Sequence, residues 1–174
     1  MQTLPLSHKR GLLYLVAVLL VAATQGNLGA QQSTLGKIAF PTSGSPQAQA
    51  CFVRGVLALH SFWFEEAADQ FRECTKAEPD FLMGYWGEAM TYNHPLWAQQ
   101  DTKAARKVLA NIKDTSRLTP REQAYISAVK VLYGPGDKLS RDIAYSEAME
   151  KIYKDDPDDL EAACFYALSL LGTV

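Results

Sequence analysis

A chain of 174 residues with 48% apolar residues, 21% charged residues and a formal net charge of −2 has the balance of one ordinary globular domain. Its seventeen basic residues are scattered and offset by nineteen acids, so there is no stripe for neutralising phosphates, and nucleic acid is excluded as the expected partner. Gly-x-Gly-x-x-Gly, P-loop, Gly-x-Ser-x-Gly and Cys-x-x-Cys patterns do not occur, which leaves no motif for the commonest nucleotide, hydrolase or redox chemistries.

Residues 1–30 read as a secretory signal peptide. Lys9 and Arg10 precede Gly11–Ala23, an uncharged apolar run. That run fits a signal core of roughly 7–15 residues and falls short of the roughly 20 that span a bilayer. Cleavage could follow Ala23, Gly26 or Ala30. The expected location is secreted or periplasmic, within a secretory pathway; the alternative is membrane anchoring by an uncleaved N-terminal segment. Residues 31–46, QQSTLGKIAFPTSGSP, are rich in Ser, Gly, Pro and Gln without an apolar period and predict a flexible lead-in.

From residue 47 to 174 apolar residues recur at helical spacing. Cys51, Phe52, Val56, Leu59 and Phe62 mark a first helix, and Phe64, Ala67, Ala68, Phe71 and Cys74 a second. Pro79 closes the second because proline has no N–H for a continuing helix. The third, FLMGYWGEAMTYN, is predicted to run to His94 and to stop because Pro95 disfavours helical geometry in the residue before it. Asp101 caps the fourth, which carries Ala104, Ala105, Val108, Leu109 and Ile112. TPRE opens the fifth with Thr119 as cap, Pro120 in the first helical position and Glu122 completing a capping box; Gly134–Gly136 break it. The sixth covers about 138–154. The seventh, DLEAACFYALSLLG, follows DDPDD, whose Asp158 and Asp159 suit a helix N-terminus and lack the spacing of a calcium loop. The predicted fold class is all-α, with no competing strand run.

A period of 34 residues runs through these helices: His60 and His94, Trp63 and Trp97, and Gly55 and Ala89 are each 34 apart. With Pro79 at the closing proline, Gly55 takes a small position on the first helix, Ala67 and Phe71 the small and large positions of the second, and Cys74 another small one. Over roughly residues 47 to 172 the chain therefore resembles the tetratricopeptide repeat (TPR) family. Cys51 and Arg54 depart from the large apolar residues usual there. NHPLWAQQD lengthens the turn of the second unit, which keeps Tyr92, and the third unit keeps Ala128 and Pro157. The resemblance implies a right-handed α-solenoid of antiparallel helix hairpins, about three hairpins plus one unpaired helix, with small residues where helices approach closely. The seventh helix presents Leu160, Ala163, Phe165, Ala167, Leu168 and Leu171 and would need a further repeat or a polar cap, so a truncated form of a longer exported repeat protein is expected.

The resemblance further implies a non-catalytic protein-interaction scaffold without a cofactor, binding a protein or peptide partner or the missing C-terminal repeats. Its concave groove, carried across position by position, would be Phe52, Val56 and Leu59, then Met83, Trp86 and Met90, then Tyr125, Val129 and Leu132, with Gln49 and Asn93 as polar handles. Such an apolar, aromatic surface suits a hydrophobic peptide or helix; the other reading makes these residues inter-helix core. The alternative function is a metal-binding protein or metal-dependent enzyme using His60, His94 and Glu88, which stacked repeats could bring together. Against it, each imidazole could cap carbonyls at a helix end, with Trp63 and Trp97 packed beneath the turns. Cys51 and Cys74 lie where the first two helices could be joined by a disulfide, leaving Cys164 odd; alternatively all three are small buried hydrophobes.

Overall fold

The computed structural model describes residues 35–174; the signal-peptide reading of residues 1–30 lies outside them. The described residues fold into seven α-helices: α1 (Pro46–His60), α2 (Phe64–Ala77), α3 (Leu82–Met90), α4 (Thr102–Leu109), α5 (Pro120–Leu132), α6 (Lys138–Asp155) and α7 (Leu160–Leu170). The fold is mostly helical, as the apolar spacing predicts. None of these helices is long and apolar enough to cross a membrane.

The helix starts are set by short polar side chains. Ser45 accepts from the Ala48 amide with Pro46 behind it, Asp101 from Ala104, and Asp137 from Ser140. At α5 the predicted capping box forms in full between Thr119 and Glu122. Each such cap satisfies amides that the first turn leaves without partners and contributes about 1 kcal/mol.

Packing follows the small-and-large logic of the sequence. Helix α2 packs on α1 and α3, and α3 in turn contacts α1, α4 and α5. Phe71 of α2 is the wedge between α1 and α3: a methyl group added at Gly55 would meet its ring at 2.6 Å, and one at Gly87 would collide with the same ring. Any side chain at either position would push a helix off that ring, an overpacking penalty of about 1–3 kcal/mol. Cys51 and Cys74, both buried, are joined by a disulfide that ties α1 to α2, Cα to Cα 5.8 Å, across a separation of 23 residues. By chain-entropy arguments a loop of that size stabilises by about 3 kcal/mol.

Two segments differ from expectation. The third helix stops at Met90, capped by Thr91, rather than at His94. Beyond it Asn93–His94 pair antiparallel with Gln99–Gln100 around a single 3-10 turn, Pro95–Trp97. The missing N–H of Pro95 and the restriction it places on His94 open the helix earlier than a rule about the preceding residue alone allows. The expected flexible lead-in is, over residues 35–45, a strap laid on the helices. Phe40 is 1% exposed and belongs to the core, and burying a phenylalanine ring contributes about 2–3 kcal/mol. Helix α7 divides its apolar residues: Ala162 and Phe165 are buried, whereas Leu160, and Leu171 just past its end, stay in solvent.

Candidate functional site

Two aromatic clusters stand out, one filled and one open. The first is built by the residues predicted to line a groove. Phe52, Val56 and Leu59 of α1, Met83, Trp86 and Met90 of α3, and Tyr125, Val129 and Leu132 of α5 are all buried; Asn93 is half-buried in the small ladder. They do not form an open groove, and the strap lays one ring against three of them. The Phe40 ring sits 5.1 Å from Phe52, 5.6 Å from Trp86 and 5.0 Å from Tyr125, one ring from each of three helices. On the other side Phe165 of α7 meets Trp86 edge-on at 5.4 Å.

Side chains of the helices bond the strap backbone as they would an extended peptide. The Gln49 amide donates to the Phe40 carbonyl at 2.8 Å and accepts from the Thr42 amide at 2.8 Å and the Thr42 hydroxyl at 2.6 Å. Glu122 divides its two oxygens. Oε2 takes the Thr119 amide and hydroxyl at 3.0 and 2.8 Å, completing the cap, while Oε1 takes the Ser43 amide and hydroxyl at 2.8 and 2.9 Å. Burial pushes the Glu122 carboxyl up, but the four donors from Ser43 and Thr119 outweigh it and hold it below the ordinary carboxylate range.

Arg121 closes the arrangement. Its guanidinium lies 4.1 Å over the Phe40 ring and 4.9 Å over Tyr125 and forks onto Asp159 at 2.6 and 2.9 Å. Asp159 also caps α7 through the Glu161 and Ala162 amides. Burial raises the Asp159 carboxyl, but the fork from Arg121 leaves it net lowered. Burial pulls Arg121 the other way, and the same fork leaves it net raised. The strap, α5 and α7 are thus joined by one cation.

The three residues of the metal reading are kept apart by separate partners. His60 Nε2 pairs with Glu161 at 2.7 Å, with the ring against Phe165. His94 Nε2 bonds the Thr91 carbonyl at 2.9 Å, with the ring stacked on Phe64 at 3.8 Å. Glu88 accepts from Arg72 at 2.8 Å and from the Tyr92 hydroxyl at 3.3 Å. Among the described residues no group of three or more His, Cys, Asp or Glu converges as metal ligands would. The 34-residue spacing does not make the two histidines equivalent in the structure: His60 is the last residue of α1, whereas His94 lies in the strand pair beyond the end of α3. His94 does cap a helix-end carbonyl; His60 bonds a carboxylate instead.

The second cluster lies at the α1–α2 turn and the NHPLW loop. Trp63 and Trp97 do not pack beneath the turns; they are 50% and 53% exposed, beside Leu96 at 50% and Phe62 at 36%. Trp97 stands edge-on to Phe62 at 5.9 Å, to Phe64 at 6.1 Å and to His94 at 6.4 Å. Phe62 and Ala98, one in each loop, are the non-glycine residues of positive φ among the described residues, at 58° and 52°. A side chain in that left-handed region costs about 1–2 kcal/mol. Two shallow clefts of about 400 and 360 Å³ open beside His94 and Tyr92. The larger is edged by Phe64, Glu65, Asp69 and Arg72. Burial lowers Arg72, but its bonds to Glu88 and Tyr92 carry it above the ordinary arginine range.

No family model matches the chain, and neither a curated protein nor a solved structure matches it.

Proposed function

We propose that the chain is an exported, non-catalytic interaction scaffold, a TPR-like right-handed solenoid of antiparallel hairpins that holds an extended segment across α1, α3 and α5. The observation that carries this reading is the strap. Its backbone is bonded at the Phe40 carbonyl and at the Thr42 and Ser43 amides by side chains of α1 and α5, while one ring enters an aromatic pocket. Main-chain bonding for affinity with a pocket for one side chain is how sheet edges and grooves take extended peptides. The ligand class is an extended segment with an aromatic residue followed by proline and hydroxyl residues, as in Phe40, Pro41, Thr42 and Ser43. The Cys51–Cys74 disulfide supports an oxidising, exported setting.

The test adds a synthetic peptide of the residue 35–45 sequence to the full chain carrying Phe40→Ala. Binding of this peptide, with a melting temperature that climbs as its concentration rises, is the expected result. A peptide with alanine in place of its phenylalanine should do neither. A melting temperature that ignores the peptide would remove the groove as a binding site and leave the strap a fixed part of the core.

A further inference from the structure

The open aromatic face at the α1–α2 turn and the NHPLW loop is separate from the filled groove. The geometry points to this face as a second binding surface, for a proline-rich, extended segment of a partner that carries arginine or lysine. Two observations on the face carry that chemistry, and a third concerns the turns that build it.

The rings come first. Phe62, Phe64 and Trp97 stand edge-on or tilted to one another at 5.9–6.2 Å; Phe62 and Trp97 are exposed, while Phe64 is half-buried with its ring stacked on His94. Contiguous exposed apolar surface of this kind marks contact sites in soluble proteins. Polyproline segments dock on aromatic-lined clefts because their backbone is already extended and its carbonyls can remain solvated.

Charge comes second. Glu65 and Asp69 edge the larger cleft, and the single cation there, Arg72, is already committed to Asp69 at 3.0 Å and to Glu88 at 2.8 Å. Among the described residues no ion pair reaches Glu65. The cleft therefore keeps the charge of Glu65 without an ion pair, beside Phe64, the ring it shares with the exposed cluster. A partner guanidinium or ammonium can lie on a ring face and reach a carboxylate at once, and an acidic segment would be repelled.

Backbone cost comes third. Phe62 and Ala98 hold left-handed conformations in the two loops that build the face. Glycine would hold either turn without strain, whereas the α1–α2 turn carries a phenylalanine 36% exposed.

The experiment titrates the full chain with a synthetic proline-rich peptide bearing two arginines and follows tryptophan emission. Trp63 and Trp97 are half-exposed while Trp86 is buried, so a blue shift reports on the face. Binding is expected, weakened by about tenfold or more with Trp97→Ala and again with Glu65→Lys. Replacing the peptide arginines by glutamate should abolish it. Phe40→Ala, which empties the groove, should leave the affinity within about twofold, since additivity holds for independent sites. A change beyond that range with Phe40→Ala, tighter binding above all, would move the peptide to the emptied groove and overturn the proposal. Equal binding of the glutamate peptide, or of an arginine-bearing helical peptide, would overturn the assigned chemistry, and no binding at all would overturn the surface.

Discussion

The Phe40 cluster and the Trp97 cluster use the same materials to opposite ends. Each places aromatic rings edge-on or tilted at about the spacing that ring quadrupoles favour. Around Phe40 the rings are covered by chain, and every backbone group that the strap brings to Gln49 and Glu122 is met by a side chain. Around Trp97 the rings are half in water and the two supporting loops carry left-handed residues. The difference teaches that aromatic content alone does not separate core from surface in this chain. What separates them is whether the chain that covers the rings finds polar partners for its backbone, as the strap does at Gln49 and Glu122, because burial demands that accounting and exposure does not.

The largest effect that distinguishes the regions is a ring deletion in each. Trp86→Ala removes a side chain 1% exposed that touches Phe40, Phe52, Tyr125 and Phe165, and should cost about 3–5 kcal/mol. Trp97→Ala, on the face, should cost within about 0.5–1 kcal/mol. Urea unfolding of the two variants against the parent measures both. Similar losses would mean that the face is packed in solution and that the contrast is false.

A smaller effect tests the polar accounting in the groove. Glu122→Gln keeps the shape but presents an amide where the Ser43 or Thr119 donors need an acceptor, and should cost about 1–3 kcal/mol. The pH dependence has a definite sign. Glu122 and Asp159 titrate below their ordinary values of 4.5 and 3.8 in the folded chain. Their contribution is therefore complete above those values and is lost as pH falls through the lowered, folded ones. The parent should lose stability on acidification below about pH 4.5, and Glu122→Gln should lose less over the same range. Denaturant midpoints taken across the acid range decide it. An acid limb unchanged by the substitution would show that the strap is not held by that carboxylate.

How much of this was legible in the sequence depends on whether a residue's role was periodic. Helices α1 to α7 were, because apolar residues at helical spacing and caps such as Ser, Thr and Asp are local signals; the Cys51–Cys74 pair stood as one of two readings, because two helices side by side allow the bond and do not require it. The buried row Phe52, Trp86 and Tyr125 was found as a set, but its filling was not. Phe40 is a single ring in a stretch of Ser, Gly and Pro, and one residue has no period to detect. Glu122 was read as a capping residue, which accounts for one of its oxygens; the other bonds Ser43, 79 residues away in sequence. Trp63 and Trp97 were misplaced because a 34-residue spacing equates positions in a repeat and says nothing about what covers them. The strand pair Asn93–His94 with Gln99–Gln100 is too short for any alternation to show.

The smallest effect is the one that separates strain from packing. Phe62 follows the C-terminal turn of α1, where its amide bonds the Leu59 carbonyl and the next amide, Trp63, reaches back to Ala58 at 2.9 Å. That closing geometry calls for a left-handed residue, the position glycine fills without penalty. Phe62→Gly should therefore recover about 1 kcal/mol of backbone strain. It gives up the ring's contacts with Phe64 and Trp97, which are worth about 0.5–1.5 kcal/mol between aromatic pairs, and some entropy of the unfolded chain. The two sides nearly cancel, so stability should change by no more than about 0.5–1 kcal/mol in either direction, while the arginine peptide loses affinity. A stability loss as large as that of Trp86→Ala would place Phe62 in the core after all. Unchanged stability together with lost peptide binding would identify the ring as kept for contact, at a site where the backbone alone would favour glycine.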